Sequence, residues 1–436
     1  MAVDGKHTSL REAGVLLIDC DHRTPPAADS GYPYVAIPQP KEGRLEIADV
    51  RRISPEHFAE WTKKAKPKHH DVILSRRCNP GETAYVPAGL ECALGQNLVL
   101  LRADGTKLFP PFLRWLVRGQ HWWEQVGTFI NVGAIFNSLK CADIPNFKMP
   151  LPSLAEQKAI AGVLGALDDK IELNRRMNAT LEAMARALFQ SWFVDFDPVR
   201  AKLDGRQPAG QDAATAALFP EHLEDSLLGH IPKGWKACTL GEIAKNVSIT
   251  FDFKRTHEVI FVNTGDVLEG DFLHSKRSPH AGLPGQAKKS IQPDDILFSE
   301  IRPANKRYAY VDFDARNYVV STKFMIIRGT KEIHTRLLYR ILTKKETLDE
   351  FQIQAESRSG TFPQITFDSI SHLPIILPPI AIQEAFQQAV GYLDAQIKVN
   401  KQQSRSLAAL RDTLLPKLLS GELSVVAPES TLDAIR

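Results

Sequence analysis

Few residues in this sequence have the types and spacing that chemistry requires, and the best candidates are two carboxylates in the second half. Pro293-Asp294 followed by Glu300-Ile301-Arg302 has the order of the paired carboxylates and basic residue that hold a metal ion and water in nucleases. Arg302 stands where that chemistry calls for lysine, and the first half of the chain has Ser75 and Arg76 near the matching position. A nuclease site is therefore not expected.

Other catalytic motifs are incomplete or missing. His69 and His70 are adjacent, so on a strand they would point to opposite faces, and a solvated pair on a basic loop is the simpler interpretation. Asn79-Pro80-Gly81 lacks the second proline and the aromatic residue of the amino-methyltransferase motif, and predicts a turn. The sequence has no GxxxxGK[ST], no GxGxxG after a strand and no HExxH. An enzyme with an unrecognised site stays open only as an alternative.

Basic loops are more informative, and they occur at corresponding places in the two halves of the chain. A single charge run is usually a solvated face, but recurrence in both halves favours contact with phosphates, beside which amide side chains could read base edges. The basic residues are Lys63, Lys64, Lys66, Lys68, His69, His70, Arg76 and Arg77, then His274, Lys276, Arg277, His280, Lys288, Lys289, Arg302, Lys306 and Arg307; the amide candidates are Asn79, Asn305 and Gln364.

Mixed domains of strands and helices must position these loops, which predicts an α+β protein. Helices are predicted at about Pro111–Val126 and Thr335–Phe351, with irregular chain from Thr128 to Pro150. Strands are predicted in the first half at Tyr32–Ile37, Arg44–Ile53, Asp71–Ser75, Glu82–Val86 and Leu94–Arg102, and in the second half at Asp295–Ser299, Ala309–Val311 and Phe324–Arg328.

Two long helices follow these domains. From Leu151 to Phe193 apolar or small residues alternate in spacings of four and three, which is a heptad seam on a helix of roughly 60 Å. The same stripe recurs later in the chain at one constant spacing, the distance in sequence from Asn174 to Asn400, which we call the repeat offset. The second stripe has one break, at Arg411. The seam residues are Ile160, Leu164, Leu167, Ile171, Asn174, Asn178, Leu181, Ala185 and Leu188 in the first helix, and Phe386, Val390, Leu393, Ile397, Asn400, Ser404, Leu407 and Leu414 in the second.

Because both helices belong to one chain, each is the other's most concentrated partner, and an intramolecular antiparallel coiled coil is the preferred arrangement. Asn174 and Asn400 at matching seam positions would fix the alignment. Pairing between chains is the alternative that the sequence leaves open. A coiled-coil scaffold that binds only proteins is a further one.

Length and composition agree with a duplicated protein of ordinary solubility. The chain has 436 residues, 54 basic residues against 51 acidic ones, and five scattered cysteines. It is long enough for two or three domains, any DNA-binding surface must be local, and the cysteines fit a reducing cytosol without a disulfide framework or zinc site. No apolar run is long enough for a membrane span. The predicted segments are a first domain 1–150, a helix 151–195, a connection 196–234, a second domain 235–377, a helix 378–420 and a tail 421–436.

Over essentially its full length the chain resembles the specificity subunit of type I restriction-modification systems. The residues that carry the resemblance are the helix LPSLAEQKAIAGVLGALDDKIELNRR, the central SWFVDFDPV, PKGW and LGEI at the second domain, and the terminal LLSGEL. The first domain begins SLREAGVLLIDCDH, without PKGW, which leaves its start and its edge strand unplaced.

The resemblance implies a pseudo-twofold chain without catalytic activity. Two target recognition domains would each read one half of a split, asymmetric double-stranded DNA site, and the paired helices would hold them apart. Two modification subunits, which use S-adenosylmethionine to methylate adenine, and restriction subunits, which use ATP, would be the partners. S-adenosylmethionine, ATP and Mg²⁺ would then belong to those partners, and the location would be the prokaryotic cytoplasm, at the nucleoid.

Overall fold

The computed structural model describes residues 7–425 except 38, 42, 48, 49 and 134, and places them in two compact units. Unit 1 comprises the described parts of 1–176 and 399–436, and unit 2 comprises 177–398. The boundaries of the six predicted segments stay predictions, and residues 1–6 and 426–436 of the first and last segments lie outside the described residues.

Unit 1 contains a four-stranded antiparallel sheet, smaller sheets and short helices. Its strands are His7–Ser9, Val15–Asp19, Tyr32–Val35, Pro40–Lys41, Arg44–Leu45, Arg52–Ile53, Val72–Ser75, Thr83–Tyr85, Ala93–Leu94, Leu98–Ala103 and Lys148–Pro150. Its short helices are Pro55–Trp61, Pro110–Leu116 and Gln120–Phe129, with a 3₁₀ turn at Ile144–Asn146.

Unit 2 repeats the four-stranded sheet and adds a second one. Its strands are Leu223–Ser226, Gly229–Pro232, Lys236–Thr239, Ala244–Asn246, Glu258–Val262, Val267–Leu268, Asp271–Phe272, Ser278–Pro279, Ala287–Ser290, Ile296–Ser299, Tyr308–Tyr310, Tyr318–Ser321, Phe324–Gly329 and Pro374–Leu377. Its short helices are Asp197–Leu203, Ala213–Leu218, Leu240–Ile243, Thr335–Thr343, Lys345–Arg358 and Phe367–Ile370, with 3₁₀ turns at Phe253–Arg255, Thr264–Asp266 and Pro303–Asn305.

The four-stranded sheet of unit 1 and its repeat in unit 2, which contains Ile296–Ser299 and Phe324–Gly329, have the same strand order, and their central strands are buried on both faces. In unit 1, Leu74 and Val99 pack into one core cluster while their neighbour Ile73 packs into another, as the alternation of side chains along a strand requires. In unit 2, Phe298 and Leu297 divide in the same way. Continuous apolar runs are therefore the correct signal for these strands.

An equivalent buried ion pair braces each sheet. Arg102 donates to Asp71 through Nε at 2.8 Å and Nη2 at 2.6 Å, and Arg328 donates to Asp295 through Nε and, at 3.1 Å, through Nη2. The Asp71 and Asp295 side chains are 2% and 0% exposed. A two-pronged contact of this kind orients the planar guanidinium and satisfies a carboxylate that burial alone would destabilise.

The first domain has the edge strand that its sequence left unplaced. His7–Ser9 pairs antiparallel with Lys148–Pro150, as Lys236–Thr239 pairs with Pro374–Leu377. The strand ends in a capping box, in which the Ser9 amide and hydroxyl both donate to Glu12. The S-x-x-E spacing of Ser9-Leu10-Arg11-Glu12 thus indicates where this edge strand ends, although the sequence has no PKGW here.

Two predicted strands in the first domain are each divided. The predicted strand Arg44–Ile53, of which residues 48 and 49 lie outside the described residues, is divided, because Arg44–Leu45 pairs with Pro40–Lys41 whereas Arg52–Ile53 pairs with Tyr32–Val35. The predicted strand Leu94–Arg102 is also interrupted, because a turn at 95–97 lets its two parts join different sheets. The error has one cause, since an apolar run does not reveal a change of pairing partner.

Both predicted short helices are also divided. The first breaks before Gly119, where a Cβ would lie 2.5 Å from Cδ1 of Leu419, so the second long helix approaches too closely for a side chain. Its second part then continues past the predicted end to Phe129. The second helix breaks at Lys344, whose backbone is extended. The predicted irregular stretch 128–150 also contains a helical turn and a strand.

The two long helices are Leu154–Phe193 and Ile380–Leu419, each 40 residues long and related by the repeat offset at both ends. An equivalent glutamine holds the start of each helix against its domain. Gln157 accepts from the Phe109 amide at 2.7 Å and donates to the Lys107 carbonyl at 3.0 Å. Gln383 accepts from His334 at 2.9 Å and donates to Glu332 at 2.9 Å.

Within unit 1 the helices pair antiparallel. Asn174, fully buried, donates to the Asn400 carbonyl at 3.4 Å and the Gln403 side chain at 2.9 Å, while Asp168, six residues earlier, meets Arg411, eleven residues after Asn400. Every predicted seam residue of both helices is buried or half-buried. The antiparallel pairing agrees with the predicted fold.

Arg411, the break in the predicted seam, has a charge partner. It donates to Asp168 at 2.6 Å, and Arg114 at 2.9 Å and Arg44 at 3.4 Å contact the same carboxylate. Burial alone would raise the pKa of Asp168, but the hydrogen bond from Arg411 and the charges of the three arginines outweigh it and lower that pKa.

In unit 2 the equivalent region is aromatic. Phe189, Trp192 and Phe193 of the first helix surround Phe386 of the second, with Phe193 and Phe386 ring centroids 4.8 Å apart. Asp394 is held by Arg340 at 2.6 Å and Arg336 at 3.3 Å.

No helix in the described part of the chain is long and apolar enough to cross a lipid bilayer.

We predict that the Asp168–arginine cluster stabilises unit 1 in a pH-dependent way. Because the pKa of Asp168 is lower in the folded chain than in the unfolded one, its contribution is present above about pH 4 and is lost as the pH falls through the folded pKa. Asp168→Asn should cost about 3 kcal/mol at pH 7, since it leaves buried arginines without their counter-charge. The difference in free energy of unfolding between wild type and Asp168→Asn, measured in urea, should become smaller as the pH falls to 3.

Arg411→Ala is the matched control, because Ala185 occupies the equivalent position of the first helix. It should cost less than Asp168→Asn, since Arg114 and Arg44 remain. A gap between wild type and Asp168→Asn that does not change with pH would contradict the assignment.

Candidate nucleic-acid interface

In each unit, an equivalent central strand, Val72–Ser75 or Ile296–Ser299, leads into a turn that carries predicted DNA-binding residues. The turn follows Ser75 in unit 1 and Ser299 in unit 2, both buried. The Ser75 hydroxyl donates to the Arg77 carbonyl at 3.0 Å, and the Ser299 hydroxyl donates to the Ile301 carbonyl at 3.3 Å. These bonds tie each turn to a buried strand end, which holds its side chains in a fixed place.

Both turns pass through the left-handed region at the same position, at Cys78 with φ 66° and at Arg302 with φ 44°. The backbone frame is therefore shared although the side chains differ. Arg76, Arg77 and Cys78 of unit 1 correspond to Glu300, Ile301 and Arg302 of unit 2. The two turns thus present different charges and shapes on one scaffold.

A second loop lies beside each turn. In unit 1 the Leu139 amide donates to the Arg76 carbonyl at 2.8 Å, and in unit 2 the Ile365 amide donates to the Glu300 carbonyl at 2.9 Å. Arg77 and Ile301 form isolated bridges with Ser138 and Gln364, which are related by the repeat offset. Each candidate surface therefore consists of one turn and one adjacent loop.

In unit 1 the predicted basic residues differ in how available their charge is. Lys68 and Arg77 are exposed, whereas Lys66, also exposed, pairs with Glu91 at 3.3 Å. Arg76 is half-buried and donates to the Leu139 carbonyl at 3.4 Å. Lys63 and Lys64 are exposed on the chain that leads to this region.

In unit 2 the structure separates two groups of predicted basic residues. One group already contacts carbonyl or carboxylate oxygens of its own unit: Lys289 donates to Phe324 at 2.7 Å, Arg307 to Val267 at 2.9 Å and to Gly265 at 3.1 Å, and Lys306 pairs with Glu269. Burial lowers the pKa of Lys289. The exposed group is Lys276, Arg277, Lys288 and Arg302. That any of these residues contacts DNA stays a prediction.

The predicted amide readers lie on or beside the turns. Asn79 and Asn305 are exposed within them, and Gln364 is half-buried in the adjacent loop, bridged to Ile301. Among the predicted basic residues, Arg302 is held at the turn by two contacts with the adjacent loop. Its amide donates to the Pro363 carbonyl at 3.1 Å, and its guanidinium lies 3.5 Å from the Thr361 carbonyl.

Of the two carboxylates in the incomplete nuclease pattern, Asp294 has a contact within the chain and Glu300 begins the turn after Ser299. Asp294 accepts from the Tyr310 hydroxyl, and the neighbouring Asp295 is the buried partner of Arg328. Burial raises the pKa of Tyr310, so its hydroxyl stays a donor at neutral pH. His70 occupies the position of Asp294 in unit 1, where it contacts Tyr85 at 3.2 Å. The contact of Asp294 with Tyr310 in unit 2 is thus replaced in unit 1 by a contact of His70 with Tyr85, which has no carboxylate.

One group among the described residues has metal-ligand geometry, formed by Asp19, Cys20 and His22. Burial raises the pKa of the Cys20 thiol to about 11, and that thiol donates to the Gly95 carbonyl at 3.1 Å. His22 contacts Asp19 at 3.0 Å. Contacts within the chain thus involve all three side chains of this group.

The loops beside the turns hold residues that the sequence analysis did not select. Phe136 and Phe362 are exposed at equivalent positions, related by the repeat offset. The offset derived from the long helices would have found them, because it also relates Ser138 to Gln364, which lie two residues further along the chain.

Comparisons with known proteins agree on one family. The family described as type I restriction modification DNA specificity domain matches residues 23–183 and 232–409. The specificity subunit of the type I restriction enzyme HindI of Haemophilus influenzae is 48% identical over 181 residues, which cover 41% of this chain and 39% of that one. The MjaIX specificity subunit of Methanocaldococcus jannaschii is 29% identical over 406 residues, which cover 91% and 85%.

A solved structure has the same fold. The crystal structure of a type I restriction-modification S subunit from M. genitalium is similar with a TM-score of 0.51 at 16% identity, over 96% of this chain and 97% of that one.

We predict that Arg302→Ala weakens binding to duplex DNA, because its side chain is exposed and its guanidinium makes a long contact of 3.5 Å with the Thr361 carbonyl. Loss of a phosphate contact should reduce the slope of log K against log salt by about one, and loss of a base contact should cost about 1–3 kcal/mol at one base position. Fluorescence anisotropy across a salt series distinguishes the two outcomes.

The matched control is Arg316→Ala in the same unit, since Arg316 is exposed, lies outside the turn and pairs with Asp314. It should leave both affinity and slope unchanged. An equal loss in the two variants would mean that Arg302 contributes only general positive charge.

Proposed function

Because the chain belongs to the type I restriction modification DNA specificity domain family, with two copies of the domain, we propose that it is the non-catalytic DNA-reading subunit of a type I restriction-modification complex. Each recognition domain reads one half of a bipartite, asymmetric double-stranded site. The observation that carries this proposal is the pair of equivalent turns with unlike side chains. A shared frame gives both domains the same approach to DNA, and the divergent residues give them different target bases.

The side chains of the turns and the exposed basic residues of both units support this division of tasks. Exposed lysines and arginines, such as Lys68 and Lys288, contact phosphates and supply affinity that falls with salt. Side chains at the turn tips, such as Asn79 and Arg302, read base edges, for which amides and guanidinium groups offer paired donors and acceptors. Base readers on turns fixed by Ser75 and Ser299 keep their register, which specificity requires.

We propose further that the long helices dock the partner subunits. Exposed apolar residues recur at equivalent positions on the two helices, namely Leu173 with Val399 and Met184 with Leu410, which are between 43% and 59% exposed. Apolar side chains on the outside of a paired helix are typical of protein-binding surfaces. A repeated surface fits two copies of a modification subunit, through which restriction subunits join. S-adenosylmethionine, ATP and Mg²⁺ bind to those partners rather than to this chain.

Selection of DNA from a random duplex pool by the purified chain tests the proposal. The expected product is a split sequence with two unlike halves and a spacer of constant length. Incubation of the same chain with Mg²⁺, S-adenosylmethionine and the selected DNA should give neither cleavage nor methylation until a modification subunit is added. Selection of no sequence would favour a scaffold that binds only proteins, and turnover by the chain alone would indicate an enzyme.

The spacer should follow the length of the helices. Insertion of four residues after Arg176 and after Gln402, which are related by the repeat offset, adds one turn to each helix at equivalent points. At 1.5 Å per residue this adds about 6 Å, so the selected spacer should lengthen by about one to two base pairs while both half-sites stay the same. The same insertion after Arg206, outside the long helices, is the control. An unchanged spacer in the helix variant would refute the role of the helices as a spacer.

A further inference from the structure

Two phenylalanines are exposed beside the candidate DNA-reading turns at equivalent places. Phe136 in unit 1 is 50% exposed and Phe362 in unit 2 is 66% exposed. They are related by the repeat offset and lie in the loops that bridge to the turns through Ser138 and Gln364. Aromatic rings stabilise a fold when they are buried, so repeated exposure of one ring at one place requires another explanation.

In unit 1 the loop is built to present the ring. The Asn131 and Ser138 backbones exchange hydrogen bonds of 2.8 and 3.0 Å and so close the loop that carries Phe136. A Cβ on Gly133 would lie 2.4 Å from the Phe136 carbonyl, so only glycine permits this close approach. The Arg77 guanidinium lies 6.0 Å from the centre of the Phe136 ring.

In unit 2 a different set of bonds gives the same result. The Phe362 amide donates to the Ser359 hydroxyl at 3.1 Å. Arg302 contacts the residues on both sides of the ring, since its amide donates to the Pro363 carbonyl at 3.1 Å and its guanidinium reaches the Thr361 carbonyl at 3.5 Å. In both units, therefore, an exposed arginine of the turn lies next to an exposed phenylalanine of the adjacent loop.

Other exposed apolar residues near these loops do not recur. Val132 is 83% exposed, and the residue one repeat offset later is Arg358. Ile353 is 68% exposed, and the residue one repeat offset earlier is Gly127. The repeat in sequence therefore includes the two exposed phenylalanines but not these two neighbours.

We propose that Phe136 and Phe362 each insert between adjacent base pairs of the half-site that their own domain reads. The inference rests on the proposed function and adds the means of readout. A phenylalanine wedge partly unstacks one base step and kinks the duplex, and the cost is offset by closer contact between protein and DNA. Arg77 and Arg302 lie where they can contact the phosphates that flank the opened step. Readout then includes the deformability of that step.

The test uses the full-length chain and the duplex that the wild-type chain selects, with 2-aminopurine placed at each position of either half-site in turn. Wild type should raise the fluorescence at one step in each half. Phe362→Ala should abolish the signal in one half only, and Phe136→Ala in the other, with affinity lowered roughly 5- to 150-fold, the range for loss of one base–aromatic contact. Phe362→Leu, which keeps an apolar wedge, should retain part of the signal.

Val132→Ala and Ile353→Ala are the matched controls and should change neither signal nor affinity. Failure of the wild-type chain to select DNA would overturn the proposed function itself. Selection by wild type with unchanged signal in both alanine variants would overturn only the insertion. Loss of a modification subunit from Phe362→Ala, with DNA binding intact, would also overturn it, since the ring would then be a protein contact.

Discussion

Each domain of this chain depends on polar contacts that attach it to one long helix. In unit 1 these are the Gln157 bonds to 107 and 109 and the ion pair of Asp168 with Arg114; in unit 2 they are the Gln383 bonds to 332 and 334 and the pair of Asp394 with Arg340. The glutamine and the aspartate are eleven residues apart, about three helical turns, so they hold the domain at two separate points. Two points fix a direction, which hydrophobic contact alone would leave free to slide. The candidate reading surface of each domain is thereby oriented relative to its own helix.

The duplication separates what must be constant from what must vary. Buried strands, the Asp71–Arg102 and Asp295–Arg328 pairs and the serines at the strand ends occur in both copies because they define the frame. The turns keep their backbone path and change their side chains. The side chains of the turns can therefore differ between the two copies without a change in the frame.

The sequence predicted the elements whose signal is periodic or repeated. The heptad stripe and its repeat offset predicted both long helices and their antiparallel pairing, which agree with the structure, and the apolar runs at 72–74 and 296–298 located the central strands. It did not predict where a strand changes sheets or where a helix breaks, because those points depend on distant contacts such as that of Gly119 with Leu419. Charge type was likewise insufficient for the candidate site. Lys289 and Arg307 are cationic residue types like Arg302, but only the structure reveals which of them already have acceptors within the chain.

Arg411 of the second helix and its counterpart Ala185 in the first helix differ in charge, so the two helices are unequal partners for Asp168. In the observed pairing Arg411 faces Asp168. If two first helices from separate chains self-associated in the same register, Ala185 would face Asp168, and the carboxylate would lose its 2.6 Å partner. Because the two helices have nearly the same seam, the seam alone does not distinguish this pairing from the observed one. Arg411 therefore favours pairing of the first helix with the second over pairing of two first helices, in which Asp168 would face an alanine.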